Sequence, residues 1–495
     1  MQKQHYIAVD CGSSNGKLID VAYDGAKITI DDSLPFFYEP VTILNAVYNN
    51  MIGIMYAVQN NLRTLVAKNG AGAIRSVGVT TWGSEYALLD ENGCMLRPMR
   101  SNRDEGSSRG MDEIRRLVSP KEFFLQTGSV MQSYSGPVEL FDDKANYSAA
   151  YNAAKTLLPT ADLLGYFFSG EYVPDETLIS TLCCSNREGT KVNEQLLGKL
   201  GLRTDFFPQI VKPGTRVGKL APAVGAFVGD RDIDVVCCAG HDTPSGLAPV
   251  YGIDNETGFI SMGTVMLAGG ETTHVDYTDA LFEGDFRVVK SVGDRYAVYR
   301  DVQGFWVLNQ CMKSFQAHGE KVSFDELEAA ARKLPKGRCI INLNDPVFYF
   351  RGTDMVGRIV NYCRETGQYE PQTPADVYRC LMDSYAVAAR NCLEEYAAAA
   401  GKTIKKLVLF NGGCQCDLLS ETISEFTGLP IKAGIRYATA LGAATLQMLA
   451  AGEFRDMTEL KQAMERSFEM KDLSRQKDPI SDEVYDRFLK LRKKQ

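Results

Sequence analysis

The run Tyr6-Ile-Ala-Val-Asp10-Cys-Gly-Ser-Ser-Asn15-Gly16-Lys17-Leu-Ile-Asp20 constrains the fold more than any other stretch of the chain. Asn-Gly between two apolar runs (Tyr6 to Val9, Leu18 to Ala22) signals a tight primed turn, because both central residues of that turn need positive φ. The segment therefore reads as a β-hairpin with Asp10 at the end of its first strand. A Rossmann or Walker loop would instead lead a strand into a helix, with glycines at other spacings. The backbone N–H groups of Gly12 to Gly16 would line a concavity suited to phosphate oxygens. Asp10 could hold a metal ion that shields those oxygens. Taken alone, the segment is equally an ordinary hairpin with a solvated Asp.

At 495 residues the chain exceeds one ordinary core, so two large domains are expected. A formal net charge of −8, with no basic cluster before the last few residues, argues against a nucleic-acid partner. The first strand begins almost at the N-terminus and no apolar run is long enough to span a bilayer, so neither a signal peptide nor a membrane partner is expected. The 13 cysteines sit mostly in apolar stretches, including Cys183-Cys184 and Cys237-Cys238, and no spacing matches a zinc site. With only 4 histidines a histidine metal cluster is not expected either. The cysteines read as small buried hydrophobes of a reducing, cytoplasmic protein.

The order of elements is α/β throughout. A helix over Ile43 to Lys68 precedes a strand from Ile74 to Thr80, the loop Thr81-Trp82-Gly83-Ser84-Glu85-Tyr86 and a short strand Ala87 to Asp90. Arg97 to Arg109 is dense in Arg, Asp and Ser. Leu157 to Ser169 reads as a compact apolar helix. A buried strand, Val235-Val-Cys-Cys-Ala-Gly240, breaks at His241-Asp242-Thr243-Pro244-Ser245. Phe259 to Ala268 then repeats the strand, small-residue turn, strand pattern with Gly263-Thr264 at its turn, which points to a duplicated domain. Tyr385, Ala388, Ala389, Cys392 and Tyr396 share one face of a helix spanning Leu381 to Ala400, closed by Gly401. A strand Leu407 to Phe410, the turn Asn411-Gly412-Gly413, a helix over Asp417 to Phe426 and an apolar helix over Ala438 to Ala451 follow. From Arg455 the charged, helix-prone tail reads as a surface cap.

Four of these segments together resemble the FGGY carbohydrate kinase family: Val9 to Gly16, Gly240-His-Asp-Thr243, Ser261-Met-Gly-Thr264, and Asn411-Gly-Gly-Cys-Gln415 with its following helix. The resemblance runs from about residue 5 to 452. It implies two actin-like ATPase (ribonuclease H-like) domains with a cleft between them. The expected boundaries are 1–245 for the sugar-binding half, 246–454 for the nucleotide-binding half and 455–495 for the tail. Thr80-Thr81-Trp82-Gly83 and Ala239-Gly-His-Asp-Thr243 are most similar to kinases of the 6-deoxyketohexoses L-fuculose and L-rhamnulose. The chain departs from that group on the sugar side. Ser84-Glu85 stands where a Val-Asp pair is usual, Ser135 to Leu140 replaces an Asn-Thr-Leu-Tyr-like helix start, and Asn102-Arg103-Asp104 replaces Tyr-Arg-Asp.

Phosphoryl transfer to a sugar hydroxyl needs positioning, charge neutralisation and a proton acceptor. Asp242, at a strand end and opening a helix, is the expected catalytic base, though Asp is also a common helix N-cap. Asp10 and Asp242 would place Mg²⁺, which prefers oxygen ligands and keeps several waters. Gly12, Ser13, Ser14, Asn15 and Lys17 would contact the phosphates of ATP from one half, and Gly263 and Thr264 from the other. Gly412, Gly413 and Gln415 would lie along the adenosine, with Asn309 reaching the adenine region. Trp82 would give the sugar an apolar face; Gly83, Ser84, Glu85, Arg103 and Asp104 would give it polar partners, and His241 would shape the surroundings of Asp242.

The expected activity is transfer of the γ-phosphate of ATP to a ketose, L-fuculose or L-rhamnulose at C1. Alternatives are a kinase of another ketose or a polyol (xylulose, glycerol), a sugar sensor, and an actin- or Hsp70-like ATPase. The partner is a small-molecule sugar, and a homodimer is an open assembly.

Overall fold

The structure is a computed structural model that describes residues 3–12, 15–349 and 354–492; Ser13 and Ser14 lie outside the described residues. Two mixed sheets carry the chain. The first takes β1 (Gln4–Cys11), β2 (Asn15–Tyr23), β3 (Ile28–Phe37), β4 (Ile74–Thr81), β5 (Thr215–Lys219) and β6 (Asp234–Cys237) in the order β3-β2-β1-β4-β6-β5. The second takes β7 (Thr257–Met262), β8 (Val265–Thr272), β9 (Arg287–Lys290), β10 (Tyr296–Gln303), β11 (Lys406–Phe410), β12 (Ile431–Gly434) and β13 (Met470–Asp472) in the order β9-β10-β8-β7-β11-β12-β13.

Both sheets are built alike. Each opens on an antiparallel hairpin whose second strand pairs with a further antiparallel strand. From the first strand of each hairpin two parallel strands extend the sheet, β1-β4-β6 and β7-β11-β12. Parallel neighbours require crossovers, and helices supply them. The duplication hinted at by the two small-residue turns is thus a repeat of topology.

The helices that position the site are α1 (Met51–Asn69), α2 (Gly136–Asn146), α3 (Asp242–Leu247), α4 (Phe305–Ala317), α5 (Pro374–Ala399), α6 (Ala438–Ala450) and α7 (Ile480–Arg492). One apolar core joins the two sheets: Tyr6, Ala8 and Ile19 from the first, Phe259, Val408 and Phe410 from the second, and the small residues of α6 between them. Helix α6 also reaches the first sheet by hydrogen bonds. Gln447 accepts from Ser76 Oγ at 2.7 Å and donates to the carbonyl of Ile7 at 3.0 Å. Among the described residues, no helix is long and apolar enough to cross a membrane.

Several expectations are corrected. The helix read from Ile43 begins only at Met51, because β-branched Val41 to Ile43 and Ala46 to Tyr48 pair as a short hairpin whose turn puts Leu44 at φ 55°. Asn50 then caps α1 by accepting from the amide of Gly53 at 2.9 Å. Leu157 and Leu158 are strand, paired to Leu88 and Ala87, and the helix starts at Thr160. Helix α5 starts at Pro374, ahead of the expected Leu381, where Thr373 and Asp376 form a capping box. The tail after Arg455 is more than a cap. Its β13 extends the second sheet, and Val484, Phe488 and Leu491 of α7 are buried in that lobe's core.

Candidate active site

In open α/β sheets, side chains and loops beyond the carboxyl ends of parallel strands converge on a crevice. Here β1 ends at Asp10-Cys11, β4 runs into Trp82 to Glu85, and β6 runs through Gly240 into His241-Asp242. Thr81 bridges His241 in parallel, and the Thr81 amide donates to the carbonyl of Gly240 at 2.7 Å, so these last two loops leave the sheet side by side.

Asp10 faces Lys17 across the hairpin, with Lys17 Nζ 3.5 Å from Asp10 Oδ2. Burial raises the pKa of Asp10 against the pull of Lys17. Asp242 is the first residue of α3, and its carboxylate accepts from Thr243 Oγ1 at 3.2 Å. Its side chain remains 41 % exposed, open to the cleft. Its pKa is pushed up to about 7, by burial of the surrounding wall first and by the negative charge of Asp10 next; Asp301 adds to the effect. The charge of Asp10 therefore reaches Asp242 across the crevice.

His241 Nε2 lies 3.5 Å from Asp242 Oδ1. Burial, with Arg287 nearby, lowers its pKa to about 3, so the ring is neutral. Its Nδ1 is buried with no hydrogen-bond partner among the described residues. Gly83 is required beside it: a Cβ there would stand 2.7 Å from the imidazole ring and from Thr181.

The two glycine hairpins close their own turns. The amide of Gly12 donates to the carbonyl of Asn15 and that of Gly263 to the carbonyl of Val265, each at 3.0 Å. Their amides are thus committed within the turn, and among the described residues Asn15, Thr264 and Val265 are exposed at the tips, with Lys17 part-exposed. The carbonyls of Gly263 and Thr264 accept from Phe305 and Trp306, which seats the start of α4, and with it exposed Asn309, against the second hairpin. The segment Asn411–Gln415 is a tight 3₁₀ turn at the end of β11 with Asn411 at φ 64°. Asn411 Nδ2 donates to Ser261 Oγ at 3.0 Å. A Cβ on Gly413 would collide with Met262 at 2.3 Å, while Gly412 and Gln415 face outward.

On the sugar side the carboxylate of Glu85 is already occupied. It accepts from Trp82 Nε1 at 2.5 Å, from Asn49 Nδ2 at 2.6 Å and from the amide of Asn102. Glu85 is 1 % exposed and sits at φ 81°, in the left-handed region that a side chain enters at a cost. Burial pushes its pKa up to about 7. It organises the loop that presents Trp82, Gly83 and Ser84. Asp104 is likewise turned inward: it caps the turn at Gly106 and pairs with Arg100. Arg103 stays partly exposed beside this loop. The stretch from Arg97 to Arg109 is a clamp rather than a solvated loop, since Arg97, Arg100 and Arg109 all reach Asp142 or Asp143 on α2.

Three residues were missed by the sequence reading. Tyr38 Oη donates to the carbonyl of Gly12 and its ring stands 6.0 Å from that of Trp82, linking the first hairpin to the Trp82–Glu85 loop. Asn49 holds Glu85, as above. Asp301, near the end of β10 and just before Gly304, pairs with Arg287 at 3.1 Å and acts on Asp242 from the second lobe. The signal for Asp301 was available, an acid near the end of a buried strand before a glycine.

The profile of the FGGY family of carbohydrate kinases, N-terminal domain, matches residues 5–248, and that of the C-terminal domain matches residues 258–451. A rhamnulokinase of Bacteroides thetaiotaomicron is 29% identical over 469 residues, 95% of this chain and 95% of that protein. A rhamnulokinase of Enterococcus faecalis is 28% identical and covers 94% of both. Among solved structures, a ligand-bound xylulose kinase from Lactobacillus acidophilus superposes with TM-score 0.82 over 99% of this chain and 98% of that one, at 16% identity. A Plasmodium falciparum glycerol kinase with ADP superposes with TM-score 0.80 over 99% of this chain and 98% of that one, at 14% identity.

Proposed function

Because this chain belongs to the FGGY family of carbohydrate kinases and is an ATP-dependent sugar kinase, we propose that its acceptor is L-rhamnulose, phosphorylated on the C1 hydroxyl, with Asp242 as the base. The observation that carries the chemistry is the Asp242 carboxylate: open to the cleft, beside a neutral His241, with its pKa raised to about 7. A carboxylate so placed orients the attacking hydroxyl and takes its proton as the oxygen bonds to phosphorus. The proton ends on Asp242, and the leaving ADP carries the charge that Lys17 and the hairpin tips stabilise. The choice of sugar rests on the rhamnulokinases similar to this chain over its whole length.

The donor set fits a magnesium ion. Asp10 and Asp242 are both acidic, the charge of Asp10 raises the pKa of Asp242, and oxygen ligands are what magnesium prefers. Those two residues would hold it, and it would neutralise charge on the transferred phosphate. The indole of Trp82 offers a flat apolar face that suits the methyl end of a 6-deoxy sugar. The unpaired Nδ1 of His241 is free to meet a sugar hydroxyl. The halves 1–245 and 246–454 would close on the substrates and exclude water, which otherwise competes for the phosphate.

Release of ADP measured over a panel of ketoses and polyols tests the reading. L-Rhamnulose should give the highest kcat/KM, ahead of L-fuculose, D-xylulose and glycerol; a preference for any of these three refutes the assignment of the sugar. Asp242→Asn should keep ATP affinity and lose about 10²–10⁴-fold in turnover, the usual worth of a positioned base. Turnover near that of the parent in that variant removes Asp242 from the chemistry.

A further inference from the structure

We propose that Cys339, Cys363 and Cys380 form a three-sulfur site for a soft monovalent cation, cuprous copper, inside the lobe built on the second sheet. Their Sγ atoms lie within 4.8 Å of one another, and all three residues are buried. They come from three separate elements: the segment after Gly337, the helix Met355–Glu365, and α5. No sequence spacing announces them, and they share no residue with the cleft. All three are free thiols.

The donor set selects the ion. Thiolates favour soft metals, and copper(I) accepts three of them without a further ligand. Zinc would want a fourth, and no histidine or carboxylate joins the cluster among the described residues. Three thiolates around one monovalent cation leave two negative charges, which need an offset. Arg487 of α7 supplies it: its guanidinium donates to the carbonyl of Gly337, two residues before Cys339, and its Nε is buried with no hydrogen-bond partner among the described residues. A narrow crevice lined by Arg338, Tyr369, Asp376 and Arg379 reaches Cys339 and Cys380; its volume of about 10 Å³ admits a bare ion and no organic ligand. Binding exchanges three S–H bonds for three Cu–S bonds and releases three protons, with no change of oxidation state.

The full chain, reduced and kept anaerobic, would be titrated with copper(I) against a chromogenic copper(I) chelator. One equivalent per chain should be withheld from the chelator, and X-ray absorption of the loaded protein should show three sulfur neighbours only. Cys339→Ser, Cys363→Ser and Cys380→Ser should each lose that equivalent, while Cys184→Ser keeps it. All four variants should keep metal-free kinase activity, which shows that they fold. Retention of copper by the three cluster variants, no retention by the parent, a two-sulfur shell, or a disulfide between two of the three in the reduced protein each overturns the site. Tighter retention of zinc with a fourth ligand overturns the choice of ion.

Discussion

Trp82 Nε1 donates to Glu85 Oε2 at 2.5 Å, so the indole of this loop is held by a buried acid. Three donors converge on that carboxylate. Glu85→Gln would turn an N–H₂ toward at least one of them. A buried donor left unpaired costs about 1–3 kcal/mol, and here the cost falls on the loop that orients the indole. The expected outcome is a raised KM for the sugar and a lowered Tm, with KM for ATP little changed. Steady-state kinetics with each substrate varied checks it, and an equal rise in both KM values argues against a sugar-side role.

The pH dependence of activity follows from Asp242. Its pKa is raised from 3.8 to about 7, by burial first and then by Asp10. A base must be ionised to accept a proton, and its ionised fraction falls as the pH drops below that value. kcat/KM should therefore decline on the acid side of about pH 7, by roughly tenfold per unit well below it. A cation between Asp10 and Asp242 favours the charged forms, so excess magnesium should move this limb to lower pH. Residual turnover of Asp242→Asn should lack the limb. An acid limb that persists there belongs to another group.

What the sequence made legible was local. Asn15-Gly16 marked a hairpin but not its turn: both residues lie in β2, Gly16 pairs with Cys11 and neither has positive φ, so the turn precedes them, while Asp10 does stand near the end of its strand. Gly240-His241-Asp242 was legible as a buried strand broken by polar residues. Glu85 was read as a sugar partner because its occupants, Asn49 and Asn102, arrive from segments that no short-range pattern ties to it. Asp104 was misplaced likewise, since its pairing with Arg100 depends on how α2 buries the acids behind both. Residues 43–48 of the short hairpin were taken for helix because they run straight into α1 with no breaker between them. The tail hid its apolar stripe of Val484, Phe488 and Leu491 among charges.

That stripe carries a prediction. Phe488 is 3 % exposed and packs in the core of the second lobe. Phe488→Ala removes a buried ring and leaves a cavity, at a cost of about 3–5 kcal/mol. Thermal melts should show the second lobe destabilised, whereas a true surface cap would tolerate the change. A ΔΔG below about 1 kcal/mol, typical of surface positions, would restore the cap reading.

Gln447 gives the sharpest test of how the lobes are joined. It sits on α6, in the second half of the chain, yet its side chain is fully buried against β1 and β4 of the first sheet. Gln447→Leu keeps most of the volume and removes both polar ends. The Ser76 hydroxyl, itself 2 % exposed, then loses its acceptor, at a cost of about 1–3 kcal/mol. The double variant with Ser76→Ala removes both polar groups together and should recover part of that loss, because no buried hydroxyl is stranded. Denaturant melts of the two single variants and the double variant give the coupling energy directly. Strict additivity would mean that the bond across the lobes contributes nothing; a positive coupling of the same order as the single cost shows that this contact ties α6 to the first sheet.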